Sequence, residues 1–323
     1  MKAIIKAVKG PPLPRVLCSF LFGAAAFSIV PANIQAGDIV WVTTGNTIAA
    51  YNANGTVLNS FNLITEQAWP GPGGILVSGS SLYIPSDRWA CCPNKAYSYA
   101  LLHDEAYYVI TTYNAAKGSV SSTSWFGAGR APAFVPTGIA RSSTGLFYVA
   151  SRGGSIAQGG NLYPPFITSI PGRGPEAPYA LAVNGNVLYV TNNSQDLNGK
   201  YFISTYSTGG GVLQPYFIEI ATGGLYGLAL QGNTLYVSVF SGSAPGVYTY
   251  NATNGDPISI KPFVPVNEPW GIAIEGNTLY VASYQDSAIY EFNLTKTPPQ
   301  LSGSIKVSAP TNITVEPAAA LGN

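Results

Sequence analysis

Hydrophobic and polar positions alternate along this chain in short runs, and the runs recur as one repeated phrase. The clearest copies are Trp270-Gly-Ile-Ala-Ile-Glu-Gly-Asn-Thr-Leu-Tyr-Val-Ala-Ser283, Tyr226-Gly-Leu-Ala-Leu-Gln-Gly-Asn-Thr-Leu-Tyr-Val-Ser-Val239 and Tyr179-Ala-Leu-Ala-Val-Asn-Gly-Asn-Val-Leu-Tyr-Val-Thr-Asn192. Looser copies span 137–151 and 73–86. Alternation with a period of two predicts a strand, and Gly276-Asn277 between two such runs predicts a hairpin turn. A third strand follows at 246–251 or 287–293, and a fourth at 258–263. Each unit therefore reads as a four-stranded antiparallel meander of the size of a propeller blade.

The second residue of each copy falls at Gly74, Gly138, Ala180, Gly227 and Gly271, in steps of 64, 42, 47 and 44. One more step of 41 lands on Asn312, in a C-terminal strand with no partner after it. The missing partners sit at the other end, in 38–44, 47–51 and 57–63. The two ends thus complete one blade, with the C-terminal strand innermost. The prediction is an all-β, six-bladed β-propeller of four-stranded antiparallel blades; seven blades is the alternative if the step of 64 hides another unit. Ala140, Ala182, Ala229 and Ala273 recur beside the inner strands, and the expectation is that only small side chains fit where blades converge.

The phrase Pro269-x-Gly-Ile-Ala-x-x-Gly-Asn-x-Leu-Tyr-Val-Ala-Ser283 resembles the repeat of NHL-type six-bladed propellers, a superfamily that includes gluconolactonase-like and strictosidine-synthase-like proteins. The resemblance covers most of 37–317 and implies the fold. Metal-dependent lyases and lactonases on related folds use several His and acidic ligands, whereas this chain has one His. The resemblance therefore carries no cofactor and no metal site over to this chain.

Lys2, Lys6, Lys9 and Arg15 precede an apolar run from Val16 to Val30, and small Ala36 follows. That is the layout of a secretory signal peptide over 1–36, and the run is shorter than the ~20 residues of a membrane span. The expected organisation is a leader at 1–36, a propeller at 37–317 with an insertion at 88–105, and a tail at 318–323. Without the leader the chain carries 11 Lys and Arg against 14 Asp and Glu, a formal charge of −3. No basic run is present, which argues against nucleic acid as a partner. A monomer with no membrane span after cleavage, extracellular or periplasmic, is the expectation.

Two features outside the repeat could carry chemistry. Cys91 and Cys92 are the only cysteines after the leader. In an oxidising compartment thiols pair, but adjacent Cα atoms lie ~3.8 Å apart, below the usual disulfide range. A vicinal ring is expected, with free or intermolecular thiols as the alternative. His103-Asp104-Glu105 lies in the same insertion; it reads as an acid–base pair or as a solvated loop. No Gly-x-Ser-x-Gly elbow accompanies it.

The residue just before each inner strand is free of the repeat and should rim one mouth of the channel. Candidate ligand-binding residues there are Trp69, Thr137, Tyr179, Tyr226 and Trp270, with Glu176 and Glu268 upstream and Arg141 and Arg152 from the third blade. Aromatic rings beside acceptors suit a small ligand, a glycan or a protein loop. The reading is a binding or interaction module; the alternative is an extracellular lyase, hydrolase or oxidoreductase working at that mouth. Secreted protein is expected to begin at Gly37, and its intact mass should rise by two alkyl groups only after reduction. Two thiols alkylated without reductant would remove the vicinal ring.

Overall fold

The computed structural model describes residues 38–45, 47–62, 73–87, 106–129, 136–152, 154–159, 177–221 and 223–317. The insertion containing Cys91, Cys92 and His103 lies outside them, as do Trp69 and Glu176. Every regular element among the described residues is a strand, and the strands form six sheets.

Blade 1 is built from both ends of the chain: β1 (Asp38–Thr44), β2 (Thr47–Asn52), β3 (Val57–Asn62) and, innermost, the last strand at Ile313–Pro317. Blade 2 holds β4 (Leu76–Ser78), β5 (Ser81–Asp87), β6 (Ala106–Asn114) and β7 (Val120–Gly129). Blade 3 has three described strands, β8 (Pro136–Arg141), β9 (Phe147–Ser151) and β10 (Ser155–Gln158). Blade 4 is β11 (Pro178–Asn184), β12 (Val187–Asn192), β13 (Tyr201–Ser207) and β14 (Val212–Ile220). Blade 5 is β15 (Leu225–Gln231), β16 (Thr234–Val239), β17 (Gly246–Asn251) and β18 (Val264–Pro265). Blade 6 is β19 (Pro269–Glu275), β20 (Thr278–Ser283), β21 (Ala288–Asn293) and β22 (Gln300–Lys306), and the closing strand of blade 1 is β23. All paired strands are antiparallel, and β23 pairs with β1 from Asp38↔Pro317 to Val42↔Ile313.

The Gly-Asn turns hold their glycines in the left-handed region, at φ +57° for Gly232 and +53° for Gly276, with open space around them. The fourth strand of blade 5 differs from the predicted 258–263. Pro257 and Pro262 have no N–H to give, so that segment meets β17 only at its ends, through an isolated bridge at Pro257 and bonds from Ile258 N to Thr249 O and from Phe263 N to Val247 O. The strand proper is displaced to Val264–Pro265.

Leu-Tyr-Val is continuously apolar because each blade is sandwiched between two others. Leu279 and Val281 pack toward blade 5, while Tyr280 and Ala282 pack toward blade 1. Six apolar clusters fill the six inter-blade spaces. The recurring alanines serve these spaces rather than the axis: Ala140, Ala182, Ala229 and Ala273 are the cross-strand partners of Tyr148, Tyr189, Tyr236 and Tyr280. Three of these tyrosines tie their blade to the next. Tyr148 OH donates to Thr208 O (3.2 Å), Tyr189 OH to Ala252 O (2.7 Å) and Tyr280 OH to Asp38 Oδ2 (2.9 Å).

At the axis the constraint falls on glycine. A Cβ on Gly227 would lie 2.4 Å from Trp270 O, and one on Gly271 2.6 Å from Thr311 O. Neighbouring inner strands meet there backbone to backbone, and Gly271 N donates to Thr311 O at 2.8 Å.

The closing interface between blades 6 and 1 departs from the others. Opposite the repeat tyrosine stand Thr112, Thr205 and Thr249 in blades 2, 4 and 5, but Glu291 in blade 6. Glu291 is fully buried and neither carboxyl oxygen has a hydrogen-bond partner. Burial first, and then the Asp38 charge from β1, pushes its pKa up from 4.5 to about 7. The Glu275 carboxyl from β19 and the Tyr280 phenol from β20 are raised by the same surroundings. The unfolded chain ionises Glu291 at its ordinary pKa, while the folded chain keeps the proton up to about 7. This contribution to stability is therefore whole in acid and is lost as pH rises between those values. The melting-temperature difference between Glu291→Gln and wild type should grow over that window in favour of the variant. Parallel curves from pH 4 to 8 would refute the assignment.

Candidate functional site

The inner strands all begin at one mouth of the channel, and each described one of blades 3 to 6 begins with a break in register. The breaks fall between Pro136 and Gly138, Pro178 and Leu181, Leu225 and Gly227, and Pro269 and Ile272. Thr137, Tyr179, Tyr226 and Trp270 lie within them. A bulge takes its residue out of the pleat and re-aims the side chain. Hydroxyls of the second strands meet the backbone groups that the bulges release. Gly227 N donates to Ser238 Oγ (2.6 Å), which donates to Trp270 O (2.6 Å) in the next blade, and Ala180 N donates to Thr191 Oγ1 (2.8 Å).

Three of the sequence-predicted residues come together as one aromatic cluster. Ring centroids lie 4.7 Å apart for Tyr179 and Tyr226, and 4.6 Å for Tyr226 and Trp270. Trp270 Nε1 donates to Tyr179 OH at 3.0 Å. Burial, chiefly, holds the Tyr179 phenol well above the ordinary tyrosine range. The Tyr226 ring adds to that shift, and the Trp270 bond and the Arg152 charge oppose it. Tyr179 is thus a neutral phenol that accepts from Trp270 and keeps its own proton to donate; no described residue takes that proton.

Two further rings extend the cluster. Phe240 lies 4.9 Å from Tyr226 and 5.6 Å from Trp270, and Tyr284 lies 5.4 Å from Trp270. Both are the first residue after their second strand, a position filled by Arg152 in blade 3 and Asn193 in blade 4. The sequence signal is weak: the position follows directly on the repeat, but its flanking residues vary as well. The backbone fixes it in blades 4 to 6, since Asn193 N, Phe240 N and Tyr284 N donate to Ala177 O, Gly224 O and Glu268 O. The mouth therefore has two tiers, one from the bulges and one from the ends of the second strands.

The other predicted residues divide. Arg152 is exposed and acts on Tyr179, so it sits at the edge of the cluster. Thr137 is buried and donates to Pro178 O at 2.7 Å, joining blades 3 and 4 instead of facing solvent. Glu268 precedes β19 in a left-handed conformation at φ 42°. Arg141 lies at the far end of β8, about 13 Å of strand from Thr137. There it donates to Ser78 Oγ (3.1 Å) and stacks against Tyr83 and Phe147 on the opposite face.

Below the mouth the channel narrows to a cavity of about 70 Å³, to which each blade gives the same repeat position: Gly74, Gly138, Ala180, Gly227, Gly271 and Asn312. Among the described residues no group of three or more His, Cys, Asp or Glu is placed to hold a metal ion. Asn192, one of five Asn-x-Ser/Thr sites with Asn54, Asn251, Asn293 and Asn312, is fully buried and donates to Ser204 Oγ (2.9 Å), so it cannot carry a glycan.

No family model matches the sequence, and no curated protein matches it. Solved structures do. The chain is similar to one in a nidogen/laminin complex at 12% identity and a TM-score of 0.63, over 87% of this chain and 99% of that one. It is also similar to proteins provisionally named 6-phosphogluconolactonases from Bacteroides uniformis (15% identity, TM-score 0.55, 87% and 100% covered) and Bacteroides fragilis (15%, 0.52, 88% and 99%). These likenesses establish the six-bladed propeller and nothing finer. A double-mutant cycle of Trp270→Phe and Tyr179→Phe should return a coupling of about 1 kcal/mol in chemical unfolding. Additive effects would show that their hydrogen bond is not formed.

Proposed function

We propose that this chain is a secreted recognition module whose working surface is the aromatic mouth of blades 4 to 6, with Arg152 at its edge. One observation carries the reading: five half-buried or exposed rings in continuous contact stand over a cavity of about 70 Å³. Enclosed ligand sites measure roughly 300–1,000 Å³. A channel this narrow does not take a substrate in, so the partner is met at the rim, as a sugar ring or an apolar loop presented from outside. Tyr and Trp suit such contact because each offers a rigid apolar face and a polar tip. The neighbouring folds include both a protein complex and enzymes, so fold alone does not choose. The continuous aromatic surface at the rim supports recognition over the alternative of an extracellular lyase, hydrolase or oxidoreductase with its site at the channel mouth near Cys91 and Cys92.

Screening the mature protein on glycan arrays and peptide libraries tests this. Every ligand recovered should bind Trp270→Ala and Tyr226→Ala at least about tenfold more weakly, as hot-spot aromatics do. Arg141→Ala, on the other face, should bind as wild type. Ligands that bind the two aromatic variants normally would exclude the mouth.

A further inference from the structure

A second concavity lies away from the mouth, in the seam between blades 5 and 6. It is a groove of about 630 Å³, within the range of small-molecule sites. Its walls are apolar: Pro245, Pro262 and Pro265 on one side, Phe292 and Leu301 on the other. Three polar groups converge in it, Asn267, Asp286 and Tyr290. Asn267 Nδ2 lies 3.2 Å from Asp286 Oδ1, Tyr290 OH donates to Asp286 Oδ2 at 3.2 Å, and Ser283 Oγ stands 3.0 Å from the same oxygen. Ser283 is fully buried; its one proton is shared with Asn267 O at 2.6 Å, and its Oγ accepts from Asp286 N at 3.2 Å, which fixes the position of Asp286 on the groove floor.

Asp286 is exposed at the edge of the groove. The donors to Asp286 are neutral, and no lysine or arginine lines the groove. The Tyr290 and Phe292 rings, 6.4 Å apart, also line the groove, and an aromatic ring is a suitable neighbour for an organic cation. We propose that the groove binds a small organic ammonium compound, with its charged nitrogen at Asp286 and its apolar body along the prolines and Phe292. The volume fits a free small molecule rather than an extended protein segment, and the site is independent of the aromatic mouth.

Phenethylamine is the probe, with 2-phenylethanol as its neutral counterpart and a lysine-containing peptide as the competing class. Titrations of the mature protein at pH 7 and low salt, followed by calorimetry or NMR, should show saturable phenethylamine binding. The alcohol should bind at least about tenfold more weakly, and Asp286→Asn should weaken the amine by a similar factor. Ala244→Trp, which fills the groove without touching the carboxylate, should abolish binding, whereas Trp270→Ala should leave it unchanged. The proposal is overturned if phenethylamine does not saturate, if amine and alcohol bind alike, or if only the peptide binds. Should Asp286→Asn fail to fold, the amine–alcohol comparison and Ala244→Trp decide the question.

Discussion

Neighbouring inner strands approach so closely at the axis that the backbone of one blade touches the backbone of the next. Gly227 against Trp270 O and Gly271 against Thr311 O leave no room for even a methyl group. Much follows from that contact. It keeps the channel at about 70 Å³ and gives each blade the same lining position. In blades 3 to 6 the start of the inner strand is also bent into a bulge, so that the residue before the inner-strand glycine or alanine leaves the pleat. Tyr226 and Trp270 occupy these places and are carried to the mouth. Large side chains excluded from the axis thus stand at the rim and in the seams between blades.

Closure is the second constraint. Pairing β23 with β1 removes the two sheet edges that an open ring would expose. The interface it creates carries groups that the repeat does not supply elsewhere. Asp38 accepts from Tyr280, and Glu291 replaces a threonine. On the far side of the same blade, Trp41 Nε1 donates to buried Glu316 (3.3 Å), whose pKa burial also raises. The blade that joins the two ends therefore holds acidic groups on both faces.

Most of the fold was legible because the repeat is a record of packing. Gly-Asn marks the turns, Leu-Tyr-Val the doubly buried strands, and the unpaired strand at 313–317 the closure. The mouth was legible in part: Tyr179, Tyr226 and Trp270 were found because they break the repeat at one place. Phe240, Tyr284 and Arg152 follow directly on the repeat, and that place becomes a rim only once the second strand is folded back beside the first. Arg141 is four residues from Thr137, and only strand geometry shows that those residues span the channel instead of sharing a mouth. The alanines were assigned to the axis because their recurrence is visible, whereas the tyrosines that require them stand across a hairpin. The groove could not be read at all, since Ala244, Pro265, Asp286 and Leu301 share no pattern and meet only through the seam.

The claim that function has been displaced to the aromatic mouth is tested most directly by hydrogen–deuterium exchange of the protein with and without a ligand recovered from glycan or peptide libraries. The account predicts slowed exchange in 177–180, 224–227, 268–271 and at Phe240 and Tyr284, with the opposite face unchanged. Protection centred instead on the turns at 142–145, 185–186, 232–233 and 276–277 would contradict it.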